Sequence, residues 1–176
     1  EKAIEAWEDF RLNIKGKISS PIWSHYFGAG ISEDATFKAE VDFDLMPRWK
    51  QNIVKRNRIL YLENKKFIDE WLAKNKIYEK NKLLKKFEWN CGDDINSIKD
   101  GIIQIRQSGI RVKRPNYYPA LVAMSTTPII WDKVLEHYRT ISIKEAAKLQ
   151  CFNPDFDFGD NDKQTYKQLG NAVNKD

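Results

Sequence analysis

Gln104, Arg106, Arg111 and Lys113 have the types and the spacing to do recognition chemistry. Gln104 and Arg106 alternate with Ile103 and Ile105, and Arg111 and Lys113 alternate with Ile110 and Val112. Period-two alternation is the pattern of a half-buried strand, whose successive side chains point to opposite faces. Between the two runs stands Gln107-Ser108-Gly109, a turn with glycine at its last position. The expected element is a hairpin over residues 101–114, apolar on one face and polar on the other. A glutamine amide can pair bidentately with adenine and an arginine fork with guanine, while Lys or Arg can neutralise phosphates. Ser108, Gly109 and Arg114 complete the candidate contact set. An exposed hairpin face that is polar only for solubility would carry the same alternation.

Other reactive side chains form no constellation. Cys91 and Cys151 lie far apart without a CxxC, so two reduced thiols are expected. His25 and His137 are not clustered with them, and a structural zinc site is not expected. No apolar run is long enough to span a membrane, the acidic opening leads us to expect no signal peptide, and the expected compartment is the cytoplasm.

The elements that must hold the hairpin are legible in outline. A chain of 176 residues with 41% apolar and 12% aromatic residues can bury a core, and disorder is not expected. Ile4, Trp7 and Leu12, with Ala3 and Ala6, predict an amphipathic helix over 2–14. Ser19 to Trp23 reads as a loop entering an extended piece, which Gly28-Ala29-Gly30 breaks, and the acidic stretch to Leu45 has no clear period. Pro47 starts a basic helix with Trp49 and Ile53 at i and i+4, continuing through Ile59, Leu60 and Leu62. Phe67, Ile68, Trp71 and Leu72 mark one face of a second helix, and the lysine-rich linker Lys74–Lys86 is expected to be the least ordered part. Ala120–Ala123 reads as a short buried strand and Ser125-Thr126-Thr127-Pro128 as a turn. Ser142 with Glu145 three residues on is a capping box, opening a short helix that ends near Phe152-Asn153-Pro154.

Charge is unevenly distributed. Residues 1–47 carry five Lys/Arg against nine Asp/Glu, a net of −4, whereas residues 48–86 carry thirteen against four, a net of +9. From 87 to 114 the balance is +1, and from 115 to 176 it is −1. A basic stretch of this kind is an electrostatic footprint for a polyanion, and a solvated lysine-rich helical surface would look the same.

Two blocks near the end carry a family resemblance. Arg139-Thr140-Ile141-Ser142, Glu145 and Leu149-Gln150-Cys151-Phe152 form the first, and Gln164-Thr165-Tyr166-Lys167-Gln168-Leu169-Gly170-Asn171-Ala172-Val173 the second. Together they resemble the closing blocks of DNA cytosine-C5 methyltransferases of restriction–modification systems. The order Ser108-Gly109-Ile110-Arg111 then Pro119-Ala120-Leu121 is similar to the element that precedes them in that family. The first block departs from the family pattern with Lys148 for Arg, Cys151 for Gly, and Asn153 before Pro154. The resemblance covers 104–176 well and 1–103 loosely, as a variable target recognition domain would.

The resemblance implies an α+β fold. Residues 1–138 would be a small target recognition domain with helices and a β-hairpin or sheet, and 139–176 would return to a Rossmann-like catalytic domain. It also implies that Asn171 and Ala172 approach S-adenosyl-L-methionine, that Arg139, Glu145 and Gln150 are structural, and that the partner is double-stranded DNA. No catalytic residue is expected here. Neither cysteine follows a proline, Glu63-Asn64-Lys65 lacks the valine of Glu-Asn-Val, and Phe27-Gly28-Ala29-Gly30 is not Phe-x-Gly-x-Gly. The chain also stops three residues beyond the closing motif, where a whole enzyme is expected to continue. The segment alone is expected to be inactive, its catalytic domain lying upstream in the same parent chain or coming in trans. The alternatives are a stand-alone DNA-binding specificity module, the second chain of a split methyltransferase, or an inert remnant.

Overall fold

The computed structural model of the chain describes residues 1–16, 18, 20–28, 43–75, 82–121 and 127–172, with only the backbone described at Asp44. Among the described residues there are five α-helices: α1 (Lys2–Asn13), α2 (Arg48–Glu63), α3 (Lys65–Asn75), α4 (Ile143–Leu149) and α5 (Asp162–Asn171). The same residues form six strands: β1 (Ile22–Trp23), β2 (Lys86–Asn90), β3 (Ile102–Arg106), β4 (Gly109–Lys113), β5 (Ile129–Asp132) and β6 (His137–Thr140). Their order in the sheet is β1-β2-β4-β3-β5-β6, and the fold is α+β as expected. Two compact units divide the chain, one of residues 1–89 with 107–110, the other of 90–106 with 111–176.

An aromatic core builds the first unit. α1 buries Ala3, Ile4, Ala6, Trp7 and Phe10. At 100° per residue Phe10 stays beside Trp7, whereas Leu12 lies about 140° round the helix. Leu12 is therefore 64% exposed, and Phe10 takes the core position expected of Leu12. The Trp7 ring stacks on Phe87 at 4.8 Å and meets Trp71 at 4.9 Å. Both indoles find acceptors, Trp7 Nε1 donating to the Leu83 carbonyl and Trp71 Nε1 to that of Ala6. A buried indole N–H needs such a partner.

α3 buries Ile68, Trp71 and Leu72 on the expected face. α2 does not follow its apolar pattern: Ile53, Val54, Leu60 and Tyr61 are buried, but Trp49, Ile59 and Leu62 are exposed. Polar Asn57 and Asn64 are buried on the inner side instead. Asn57 Oδ1 accepts the Trp23 N–H at 2.8 Å, and its Nδ2 donates to the Pro21 and Ile53 carbonyls. Asn64 makes the equivalent pair of bonds to the N–H and carbonyl of Lys15. The helix thus packs on extended backbone, whose polar groups must be satisfied once buried.

In the segment expected to be least ordered, Lys74 and Asn75 close α3, Lys82–Leu84 form a 3-10 turn with Leu84 buried, and Lys86 opens β2. β2 pairs antiparallel with β1, Ile22 opposite Phe87 and Trp23 opposite Lys86. Residues 76–81 of that linker lie outside the described residues, as do Ala29, Gly30, the acidic stretch to Asp42, Val122 to Thr126 and Val173.

In the second unit β3 pairs antiparallel with β5, and β5 with β6. Ile141, Ala146, Ala147 and Leu169 form its small core, joined by Tyr118, Leu121, Ile143, Phe152 and Tyr166. Ser142 caps α4 in the expected capping box. Cys151, the residue that departs from the family glycine, adopts φ +58°. Its N–H donates to the Lys148 carbonyl and that of Phe152 to Ala147, the two bonds of a Schellman ending whose left-handed position favours glycine. Cys151→Gly is therefore expected to stabilise the second unit by about 0.5–1 kcal/mol, the relief of left-handed strain exceeding the entropy that glycine adds to the unfolded chain. Urea unfolding of the variant checks it; an unchanged midpoint would show that the cysteine carries no strain there.

Candidate functional site

The hairpin forms where its alternation placed it. Ile103, Ile110 and Val112 are buried, and the tip residues Arg106, Gln107 and Ser108 are exposed. Gln104, Arg111 and Lys113 are half-buried, so the polar face opens progressively toward the turn. Lys113 Nζ sits 4.7 Å from the ring centroid of Tyr117, which is itself exposed and shields one side of the ammonium. Gly109 is buried, with φ +143° and its Cα facing the Lys86 carbonyl, a place that shapes the hairpin. Arg114 Nε donates to the Cys91 carbonyl at 2.8 Å, and its guanidinium pairs with Asp94. Arg114 thus braces the turn at 91–94, while Arg106, Gln107 and Ser108 are exposed donors at the tip.

The basic stretch divides likewise. Arg58 donates to the Phe27 and Gly28 carbonyls, Lys65 pairs with Asp69, Lys74 with Asp9 and Lys86 with Glu88. Arg48, Lys82 and Lys85 are exposed. Part of the net positive charge read from the sequence is therefore engaged in holding the first unit together.

The second unit presents a cleft of about 410 Å³ lined by Tyr118, Pro119, Ala120, Leu121, Leu149, Gln150 and Ala172. Ala172 ends α5 and half-faces solvent, and Asn171 beside it is exposed. Gln150 Nε2 donates to the Leu169 carbonyl at 3.2 Å, which ties α4 to α5. Its Oε1 and the Tyr118 hydroxyl are buried without a hydrogen-bond partner among the described residues. Burial, then the charge of Glu145, pushes the Tyr118 hydroxyl above its ordinary pKa. Buried polar atoms left in this state mark a place where a polar ligand or side chain gains by entering. Tyr118 was missed in the sequence, where it sits in a loop without periodicity; the dense Tyr117-Tyr118-Pro119 was its only signal.

Behind the cleft, Arg139 grips two carboxylates. Its Nη1 and Nη2 donate to Glu145 at 2.8 and 2.9 Å, and Nε donates to Asp132 at 2.7 Å. These bonds hold both carboxyls down at about 2. The Tyr166 hydroxyl donates to the Ile141 carbonyl and locks α5 onto the strand end. Among the described residues no cluster of His, Cys, Asp and Glu is placed to hold a metal ion, and no helix is long and apolar enough to cross a membrane.

Residues 17–176 match the family model described as C-5 cytosine-specific DNA methylase. The chain belongs to that family. The match starts well upstream of the blocks that carried the resemblance, and takes in α2, α3 and the hairpin of this C-5 cytosine-specific DNA methylase family member. The chain is 37% identical over 134 residues to the Type II methyltransferase M.AluI of Cellulosimicrobium cellulans, an alignment covering 74% of this chain and 25% of that protein. The chain thus spans about a quarter of the length of the curated relative it matches. No solved structure matches. In this chain Arg139 hydrogen-bonds Asp132 and Glu145, and Gln150 hydrogen-bonds the Leu169 carbonyl.

Proposed function

We propose that the chain is the C-terminal, DNA-reading part of a DNA (cytosine-5-)-methyltransferase of a restriction–modification system working in the cytoplasm. Residues 1–138 serve as the target recognition domain, and 139–176 are the closing blocks that pack toward a Rossmann-like catalytic domain. That domain lies upstream in the same parent chain or is supplied in trans. The observation that carries this reading is the hairpin tip, where Arg106 and Ser108 stand exposed on a strand pair whose turn is fixed by a buried glycine. Donors held on rigid backbone can discriminate base edges in the major groove of double-stranded DNA. Gln104, Arg111 and Lys113 stand behind them for base and phosphate contacts.

The parent reaction needs a thiolate to attack C6 of a cytosine rotated out of the duplex, because those atoms are unreachable in a stacked pair. This chain has no Pro-Cys, so it supplies grip and sequence choice. S-adenosyl-L-methionine, when bound, supplies the methyl group. Asn171 and Ala172 would approach it from the end of α5, and the polar, unsatisfied wall of the cleft beside Ala172 fits a polar ligand.

A mobility-shift titration with duplex DNA tests the reading. Affinity should fall steeply with salt, log K losing about 0.9 per phosphate neutralised for each tenfold rise in salt. Arg106→Ala should relax preference at one base position by about 1–3 kcal/mol. Absence of duplex binding at ~50 mM salt would overturn the DNA-reading role, and unchanged preference in Arg106→Ala would remove the hairpin tip as reader.

A further inference from the structure

The first unit carries a group of aromatic side chains that neither its core nor the hairpin uses. Trp23 of β1 lies 5.5 Å from Tyr26 and 6.1 Å from His25 by ring centroids, and His25 and Tyr26 are 4.1 Å apart. Trp49, in the first turn of α2, meets Trp23 edge-on at 6.5 Å. Trp7 and Trp71 of the same unit are fully buried, but Trp49 is 61% exposed. An indole left in water forgoes the stabilisation that burying its large apolar face would give and leaves that face open to a ligand.

The group is set on fixed backbone. The Trp23 N–H is held by Asn57, and the Ser24 hydroxyl donates to the Leu84 carbonyl at 3.0 Å. Its surroundings are basic. Arg48 and Lys50 flank Trp49 in the chain, and Lys86 Nζ lies 5.8 Å from the Trp23 ring. Desolvation first lowers the His25 pKa, a backbone hydrogen bond at Lys85 partly offsets it, and the charges of Lys85 and Lys50 lower it further. Among the described residues, Lys86 also pairs with Glu88 two positions along β2.

Flat rings interleaved with cations suit one ligand class above others: a base offers a π-face of any sequence, and its phosphate offers the charge. In a fully paired duplex the base faces are covered by their neighbours. We propose that Trp23, His25, Tyr26 and Trp49 form a stacking platform for an unpaired nucleobase, with Arg48, Lys50 and Lys85 taking the adjoining phosphates. This deepens the DNA-reading role and rests on it.

Anisotropy titrations of the 176-residue chain separate the two claims, using a fully paired duplex, the same duplex with one unpaired base, and a single strand. Trp49→Ala should weaken binding to the second and third about ten-fold or more, and should leave the paired duplex and its salt slope unchanged. Trp49→Phe should keep most of the binding, and circular dichroism should be unchanged in both variants because Trp49 is exposed. Equal losses on all three DNAs, or no loss on any, would overturn the platform while leaving the duplex reading intact. Trp49-dependent binding of the single strand without duplex binding would keep the platform and overturn the duplex reading. If an acidic peptide, and no oligonucleotide, quenches the Trp49 contribution to fluorescence, the platform is a protein-docking surface and the proposal fails.

Discussion

Replacing Gly109 by alanine should destabilise the chain by about 3 kcal/mol or more, roughly 10 °C in Tm. Two independent costs meet at this residue. Its φ of +143° lies where L side chains rarely go, and an added Cβ would run into the Lys86 carbonyl oxygen, with the carbonyl carbon at 2.8 Å and Lys86 Cβ at 2.9 Å. The obstacle is mostly backbone, and that backbone is held in register by the pairing of Lys86 with Trp23. Neither side can therefore give way without moving a strand. Gly159 supplies the contrast, because it has φ +70° but nothing within 4 Å of the place an alanine methyl would occupy. Gly159→Ala should cost only about 1 kcal/mol, from backbone strain alone. Urea unfolding followed by tryptophan fluorescence compares the two variants, and equal midpoints would disprove the close-approach argument. Because the same glycine ends the turn that presents Arg106 and Ser108, the proposed DNA-reading role predicts that sequence preference falls along with stability.

Gly109 also shows where the sequence was and was not legible. Period-two alternation located β3 and β4, and the helical stripe of Ile68, Trp71 and Leu72 located α3; the apolar side is the buried side in α3 and along Ile110 and Val112, whereas in β3 Ile102 and Ile103 are both buried and Ile105 is only half-buried. α2 inverts that rule in part. Trp49, Ile59 and Leu62 face solvent while Asn57 and Asn64 are buried, since the helix packs on backbone that must be hydrogen-bonded. Hydropathy has no way to signal an asparagine that substitutes for a strand partner. β2 was hidden for a similar reason: Lys85-Lys86-Phe87-Glu88 reads as a charged linker until Lys86 and Glu88 are seen to pair with each other. At the candidate site, residue types predicted the capacity for contact but not its use. Arg114 and Arg106 are equivalent in sequence terms; Asp94, twenty positions away, takes one and leaves the other exposed at the tip. Cys151 is the opposite case: it stood out in the sequence only as a departure from the glycine of the resembled family, and the structure gives that position a left-handed backbone.

Asn57→Ala should be the costliest polar substitution in the first unit, about 3 kcal/mol. The side chain closes three bonds at once, accepting from the Trp23 N–H and donating to the Pro21 and Ile53 carbonyls. The Ile53 carbonyl keeps its helical environment when the amide is lost, but the Trp23 N–H and the Pro21 carbonyl lose this partner behind the helix. Each buried group deprived of its hydrogen bond costs about 1–3 kcal/mol, far more than the bond's net worth when both partners are solvated. Asn57→Asp sharpens the argument, because it keeps an acceptor for Trp23 and turns the donor toward Pro21 into a second acceptor. Burial and the facing carbonyls would raise the folded pKa of that carboxyl. The protonated acid can donate, so the variant should approach wild-type stability at low pH and lose ground as pH rises above about 4, where the unfolded chain releases its proton first. Ile59→Ala, on the exposed side of the same helix, should change stability by no more than about 0.5 kcal/mol despite removing a large apolar side chain. If Ile59→Ala proved the more damaging of the two, the burial of α2 would have to be reversed, and with it the fixed seating of Trp23 on which the aromatic platform depends.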